Sequence, residues 1–135
     1  MQHNQQSKTE ILASCTRHIQ GHVHYHALLS ITYLGEPFTI PANTGIENGC
    51  MHPLHTHDTT GRIHIDYHTP YPFTLGDFFT SWGIVFHSRQ VGSILAGNRY
   101  IITMLVNGKN NTQFEKYVIH DQDTIHIKIT KKKNY

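Results

Sequence analysis

From His22 to Tyr33 the chain reads His-Val-His-Tyr-His-Ala-Leu-Leu-Ser-Ile-Thr-Tyr, with apolar or aromatic side chains at the odd positions and mostly polar ones at the even positions. A period of two marks a strand with one buried and one open face, because successive side chains of extended backbone point to opposite sides. The front of the chain is thereby committed to a sheet, and His22, His24 and His26 share the open face.

The turn residues that follow divide up the rest. Leu34-Gly35-Glu36-Pro37 reads as a turn and Phe38 to Pro41 as a short return strand, which makes a β-hairpin. Residues 42–62 are rich in Asn, Gly, Thr and His and read as a long loop, the kind of segment that often carries function. A strand from Arg62 to His68 ends before Pro70 and Pro72. Thr74 to Gly83 predicts one helix: Thr74 and Asp77 have capping-box spacing, Gly83 can close it, and Leu75, Phe78, Phe79 and Trp82 share a face. Gly76 weakens that helix. Later strands are expected at Tyr100–Val106 and Thr124–Ile129, with Asn107-Gly108 as a hairpin turn and 114–119 as a strand or short turn.

This order predicts a mainly β domain with one helix, an α+β mixed sheet. Met104 to Gly108 and Asp121 to Ile127 resemble the first hairpin and last strand of β-grasp domains, and a β-sandwich is the rival. At 135 residues the chain suits one domain, 19–130, preceded by a loose arm at 1–18 and followed by a basic tail at 131–135. A net charge of +2 is too small for a nucleic-acid footprint. The start MQHNQQSKTE lacks the apolar core of a signal peptide, so an exported form would need a leader that this sequence does not show.

The 13 histidines are the anomaly. His24 and His26 make a His-x-His pair on a strand, and His55 and His57 make another in the loop, with His64 opening the next strand. Imidazole nitrogens bind transition ions at about 2.0 Å, so neighbouring rings on one face can share an ion. These five histidines form the expected metal site. His22 is held in reserve, because it lies nearest the chain's loose start. Asp58 is placed to accept a proton from a ligating ring and fix its tautomer, and Asp66 shares a face with His64. His68, His87, His120, His126, His3 and His18 are read as surface, loop or edge residues.

Copper is the expected ion, since nitrogen donors favour it in the affinity series; zinc is the alternative. Three nearby motifs are poorer fits. A cupin needs a glutamate where Gly61 and Arg62 stand, and a blue-copper loop needs a methionine where Thr60 stands. Cys50 and Met51 would serve copper(I) as soft ligands only if Cys50 were free. The two cysteines, Cys15 and Cys50, permit one disulfide, and two reduced thiols are equally consistent.

The segments Pro41 to Ile46, Leu54 to Asp66 (with His55-Thr56-His57-Asp58) and Phe73 to Gly83 resemble a family of small, largely uncharacterised archaeal and bacterial proteins. Its members carry a His-x-His-x-His start, an HTHD segment and an F-T-L-G-x-F-F stretch, and the likeness spans about residues 22–129. Relatives often carry glutamate where this chain has Asp66. The resemblance implies an exported, metal-linked role outside the cytoplasm. Two functions of different class follow: a protein that holds or delivers copper, and a metal-dependent enzyme with a His-ligated zinc or copper centre.

Overall fold

The computed structural model describes residues 6–16 and 23–133. His3, His18 and His22 lie outside the described residues. The chain begins with α1 (Lys8–Ala13), followed by β1 (Val23–Tyr33), β2 (Glu36–Pro37), β3 (Ile46–Glu47), β4 (Cys50–Met51), β5 (Leu54–His55) and β6 (Arg62–Tyr67). After α2 (Leu75–Trp82) come β7 (Phe86–His87), β8 (Gln90–Val91), β9 (Ile94–Leu95), β10 (Tyr100–Val106), β11 (Lys109–Asn110) and β12 (Thr124–Lys131).

The main sheet runs β11-β10-β12-β1-β6-β5, and β2 pairs the end of β1. Its centre is a parallel pair, β1 beside β12, with Leu29 opposite Ile125 and Ile31 opposite Ile127. The neighbours on both sides, β6 and β10, are antiparallel. The domain is therefore α+β with a mixed sheet, and no second large sheet faces it among the described residues, as a sandwich would require. In the β-grasp comparison, β1 and β6 form the leading antiparallel pair, and the segment from Met104 to Gly108 belongs instead to the pair β10 and β11.

Alternation builds the core. Ala27, Leu29 and Ile31 of β1, Ile63 and Ile65 of β6, Met104 of β10, and Ile125, Ile127 and Ile129 of β12 are all buried. Buried with them are Leu75, Phe78 and Phe79 of α2. The helix has the caps its sequence implies. Thr74 Oγ1 accepts from the Asp77 N–H at 3.2 Å, and Asp77 Oδ2 accepts from the Thr74 N–H at 2.8 Å. Gly83, at φ +81°, closes it with its N–H on the Phe79 carbonyl. Gly76 has a packing reason to interrupt the helical composition: a Cβ there would stand 2.9 Å from the Glu115 carbonyl oxygen.

Several expectations change. The loose arm expected at 1–18 contains α1, whose Ser7–Glu10 capping box is complete and whose Ile11 and Leu12 are buried. Lys8 pairs with Asp77 of α2 at 3.2 Å, and Cys15 is disulfide-bonded to Cys50. No strand forms at 38–41; the return pairing falls earlier, at β2, within the residues expected as the turn, with one further bond from Phe38 N–H to the Ile31 carbonyl. The loop of 42–62 contains three short strands, β3, β4 and β5. Residues 86–95 form a three-strand meander, β7 to β9, where no element was expected. Phe114–Lys116 is a 3-10 turn, and β12 continues to Lys131, the first residue of the expected basic tail. No helix among the described residues is long and apolar enough to cross a membrane.

Candidate metal centre

The open face of the sheet carries the histidines. On β1 the even positions point away from the core, which takes His24 and His26 to that face. The antiparallel register with β6 sets His26 opposite His64 and His24 opposite Asp66. The register of β5 with β6 then sets His55 opposite His64 from the other side. His26, His64 and His55 thus form one row across three strands. Directly opposed residues in a sheet have Cβ atoms about 5 Å apart, within reach of one another's rings. His57, two residues beyond His55, turns the same way, with ring centroids 4.9 Å apart. The sheet itself joins the two His-x-His pairs; the hairpin between them in the sequence does not.

His64 is the hub. Its ring lies 4.5 Å from that of His26 and 4.5 Å from that of His57, both edge-to-face, and it stacks on His55 at 5.4 Å with 6° between the planes. The donor atoms form two groups of three: His24, His26 and His64, and His55, His57 and His64, with all nitrogens in each group within 4.8 Å of one another. Either group can coordinate a metal ion. In the first, His24 Nε2 and His26 Nε2 are 3.1 Å apart. Two nitrogens at that separation, each bonded at about 2.05 Å, subtend roughly 100° at the ion, between square-planar and tetrahedral values.

The groups around the rings decide which nitrogen each can offer. His55 Nδ1 lies 2.8 Å from the carbonyl oxygen of His52; a carbonyl only accepts, so Nδ1 carries the hydrogen and Nε2 the lone pair. On the other side of the hub, the buried Asp66 carboxyl lies 3.6 Å from His24 Nδ1, an ion-pair separation just beyond hydrogen-bond reach, while His24 Nε2 lies 3.1 Å from His26 Nε2. Asp58, expected in that part, is engaged elsewhere: its Oδ1 accepts from the Thr60 N–H at 3.0 Å and from the Thr60 hydroxyl at 2.6 Å, closing the loop before β6. Asp66, and not Asp58, is the carboxyl group that stands beside a ring of the cluster.

Protonation also favours metal binding. Burial first, then the neighbouring His26, His57, His55 and His24, push the His64 imidazole down to about 4. Burial, with help from His24 and Arg62 and opposed by Asp121, lowers His26 from the ordinary histidine value. Neutral rings keep the lone pair that an ion needs.

The loop carrying the second group is held from below. Gly45, at φ +76°, passes so close to β5 that a Cβ would collide with the Leu54 carbonyl oxygen. His52 faces away from the cluster, with Nδ1 donating to the Ser14 carbonyl at 3.1 Å and Nε2 lying 3.7 Å from Glu47. Its backbone carbonyl is the part that serves the site, and nothing in side-chain spacing points to a main-chain oxygen. Cys50 is bonded to Cys15, so in this form it is not a thiolate ligand. Among the described residues, His68, His87, His120 and His126 join neither group. His126 pairs with the Thr32 hydroxyl at 3.0 Å, and His87 Nδ1 accepts the Arg89 N–H. A cleft of about 590 Å³ opens beside His24, lined by Tyr25, Tyr71, Pro72, Val118 and Asp121 among others.

Fold and site together define a small α+β domain with two histidine groups, each able to coordinate a metal ion. Compared with models of known protein families, with curated proteins and with solved structures, the chain shows no match.

Proposed function

We propose that this protein binds a transition-metal ion, copper in the first place, and holds or delivers it outside the cytoplasm. The observation that carries the reading is the convergence of His24, His26, His55, His57 and His64 on one sheet face in two three-nitrogen groups. An all-imidazole donor set suits copper(II), with zinc as the alternative, and copper leads the affinity series. The disulfide supports an extracytoplasmic setting, because such bonds persist mainly where the surroundings are oxidising. The resemblance to the exported HTHD family points the same way. The test is elemental analysis of untagged protein after exposure to copper or zinc and exhaustive dialysis at neutral pH. Retention of about one equivalent or more supports the reading, and loss of all metal overturns it.

A second reading, a metal-dependent enzyme, draws on the cleft beside His24. A catalytic ion needs an open coordination position and room for substrate. His24, one member of the first group, lines that cleft and would give an ion held there access to it. Metal-dependent turnover of ester or phosphoester probes, abolished by His24→Ala, would favour this reading over simple holding.

A further inference from the structure

We propose that the protein binds two ions side by side, with the His64 ring serving both. The inference rests on the metal-binding reading and adds a second site to it. The five histidines make two groups of three with a single member in common, not one cage. Within each group the nitrogens lie within 4.8 Å of one another, so small side-chain rotations bring them to the separation of about 4.2 Å or less that bonds of about 2.1 Å to one ion allow. The strand order explains the division. His24 and His26 belong to β1, His55 to β5 with His57 just beyond it, and β6 runs between them carrying His64. His64 is therefore flanked on both sides, by His26 at 4.5 Å and by His57 at the same ring separation.

An imidazole ring has nitrogens on two different edges, so a ring between two groups can give one to each. The first ion takes the lone-pair nitrogen of neutral His64. When the second arrives, the remaining N–H bond of the ring breaks, its proton goes to solvent, and the electron pair left on nitrogen forms the second metal bond. No electron is transferred, and neither ion changes oxidation state. The two positions differ in access, since His24 is exposed and His55 is buried. They should therefore fill in sequence and not together.

The test is a copper(II) titration of the untagged, disulfide-bonded chain. Bound metal is counted after gel filtration, and electron paramagnetic resonance spectra are recorded at one and two equivalents. Two retained ions are expected, with a spin signal at two equivalents smaller than at one, because a shared ring couples the two unpaired electrons. His24→Ala, at an exposed position, should leave one ion and a full signal from it. His64→Ala should remove the coupling and at least one ion. A plateau at one ion overturns the shared arrangement and leaves the metal-binding reading standing. Two ions with a full, doubled signal overturn it as well. Retention of no ion overturns the metal-binding reading itself.

Discussion

His55 gives its Nδ1 hydrogen to the carbonyl of His52, three residues earlier, at 2.8 Å. The bond ties a side chain of the site to the backbone of the loop that carries it, and leaves Nε2 as the lone-pair nitrogen. Strand pairing places His64 opposite His26 on one side and His55 on the other. Register therefore places His55 and His64 alike, and the bond to His52 adds a fixed ring orientation at His55, so truncations at the two should differ.

The hub should matter most. His64→Ala removes a nitrogen common to both groups and is expected to weaken copper binding by more than about 100-fold, beyond the usual cost of losing an outer-shell partner. His24→Ala and His57→Ala each remove a member of one group only, and should weaken binding strongly while leaving the other group. His68→Ala and His126→Ala should leave affinity unchanged. Competition titrations against a chelator of known affinity measure all five. Equal losses at His64 and His126 would show that the open face is not where the ion sits.

Asp66 offers a sharper test of how the site is built. Its buried carboxylate lies 3.6 Å from His24 Nδ1, and the two residues are cross-strand partners. Asp66→Asn keeps the shape and removes the charge. We expect about a 10–100-fold loss of metal affinity, typical of an outer-shell carboxylate, with the fold retained by circular dichroism. Asp58→Asn should leave metal affinity close to that of the parent, because Asp58 is engaged with Thr60. The opposite ranking of these two variants would return the supporting role to Asp58.

The contrast between Asp58 and Asp66 shows how far the sequence could be read. Period-two alternation located β1 and put His24 and His26 on one face, since that face follows from backbone geometry alone. The capping box and Gly83 located α2 for the same kind of reason. Local pattern cannot give register. A shift of one residue between β1 and β6 would send His64 into the core, and only the folded sheet fixes that His26 faces it. Asp58 looked apt because it adjoins His57, but a short Asx-type bond to Thr60 wins in an exposed loop. The helix α1 falls in the stretch read as a loose arm, because six residues are too few to show a period or to hold a helix without the burial of Ile11 and Leu12 and the tether at Cys15, none of which local pattern reveals.

The tether gives a stability prediction. Cys15 and Cys50 close a loop with a separation of 35 residues. Chain entropy alone assigns such a crosslink about 4 kcal/mol. Alkylation without reduction should modify neither cysteine. Reduction, or Cys15→Ser with Cys50→Ser, should lower the urea midpoint accordingly and make α1 the first segment to lose amide protection. Full alkylation of the native, unreduced protein would remove the basis for this prediction and reopen Cys50 as a copper(I) ligand.

The pH dependence of the metal-free protein provides the final check on the hub. In the unfolded chain His64 takes a proton near the ordinary value of about 6.5. In the folded chain burial and four neighbouring rings hold it down to about 4. Between those values the unfolded state binds more protons than the native state, so stability rises with pH across that window. Read downward, the native protein should lose stability as pH falls from about 6.5 to 4, and the His64 contribution should level off below that, where both states are protonated. His26, also lowered in the fold, adds to the slope with the same sign. Thermal melts in the presence of a chelator, from pH 8 to 3.5, measure the effect. His64→Gln removes the titrating group from both states and should flatten the curve. Saturating copper should raise the whole curve at neutral pH, by about 2.7 kcal/mol at a free concentration 100 times the Kd. That gain should vanish in acid, where protons displace the ion. A parent protein whose melting temperature is constant over the window, or a His64→Gln variant with the parent's slope, would mean that His64 is not held neutral by its neighbours.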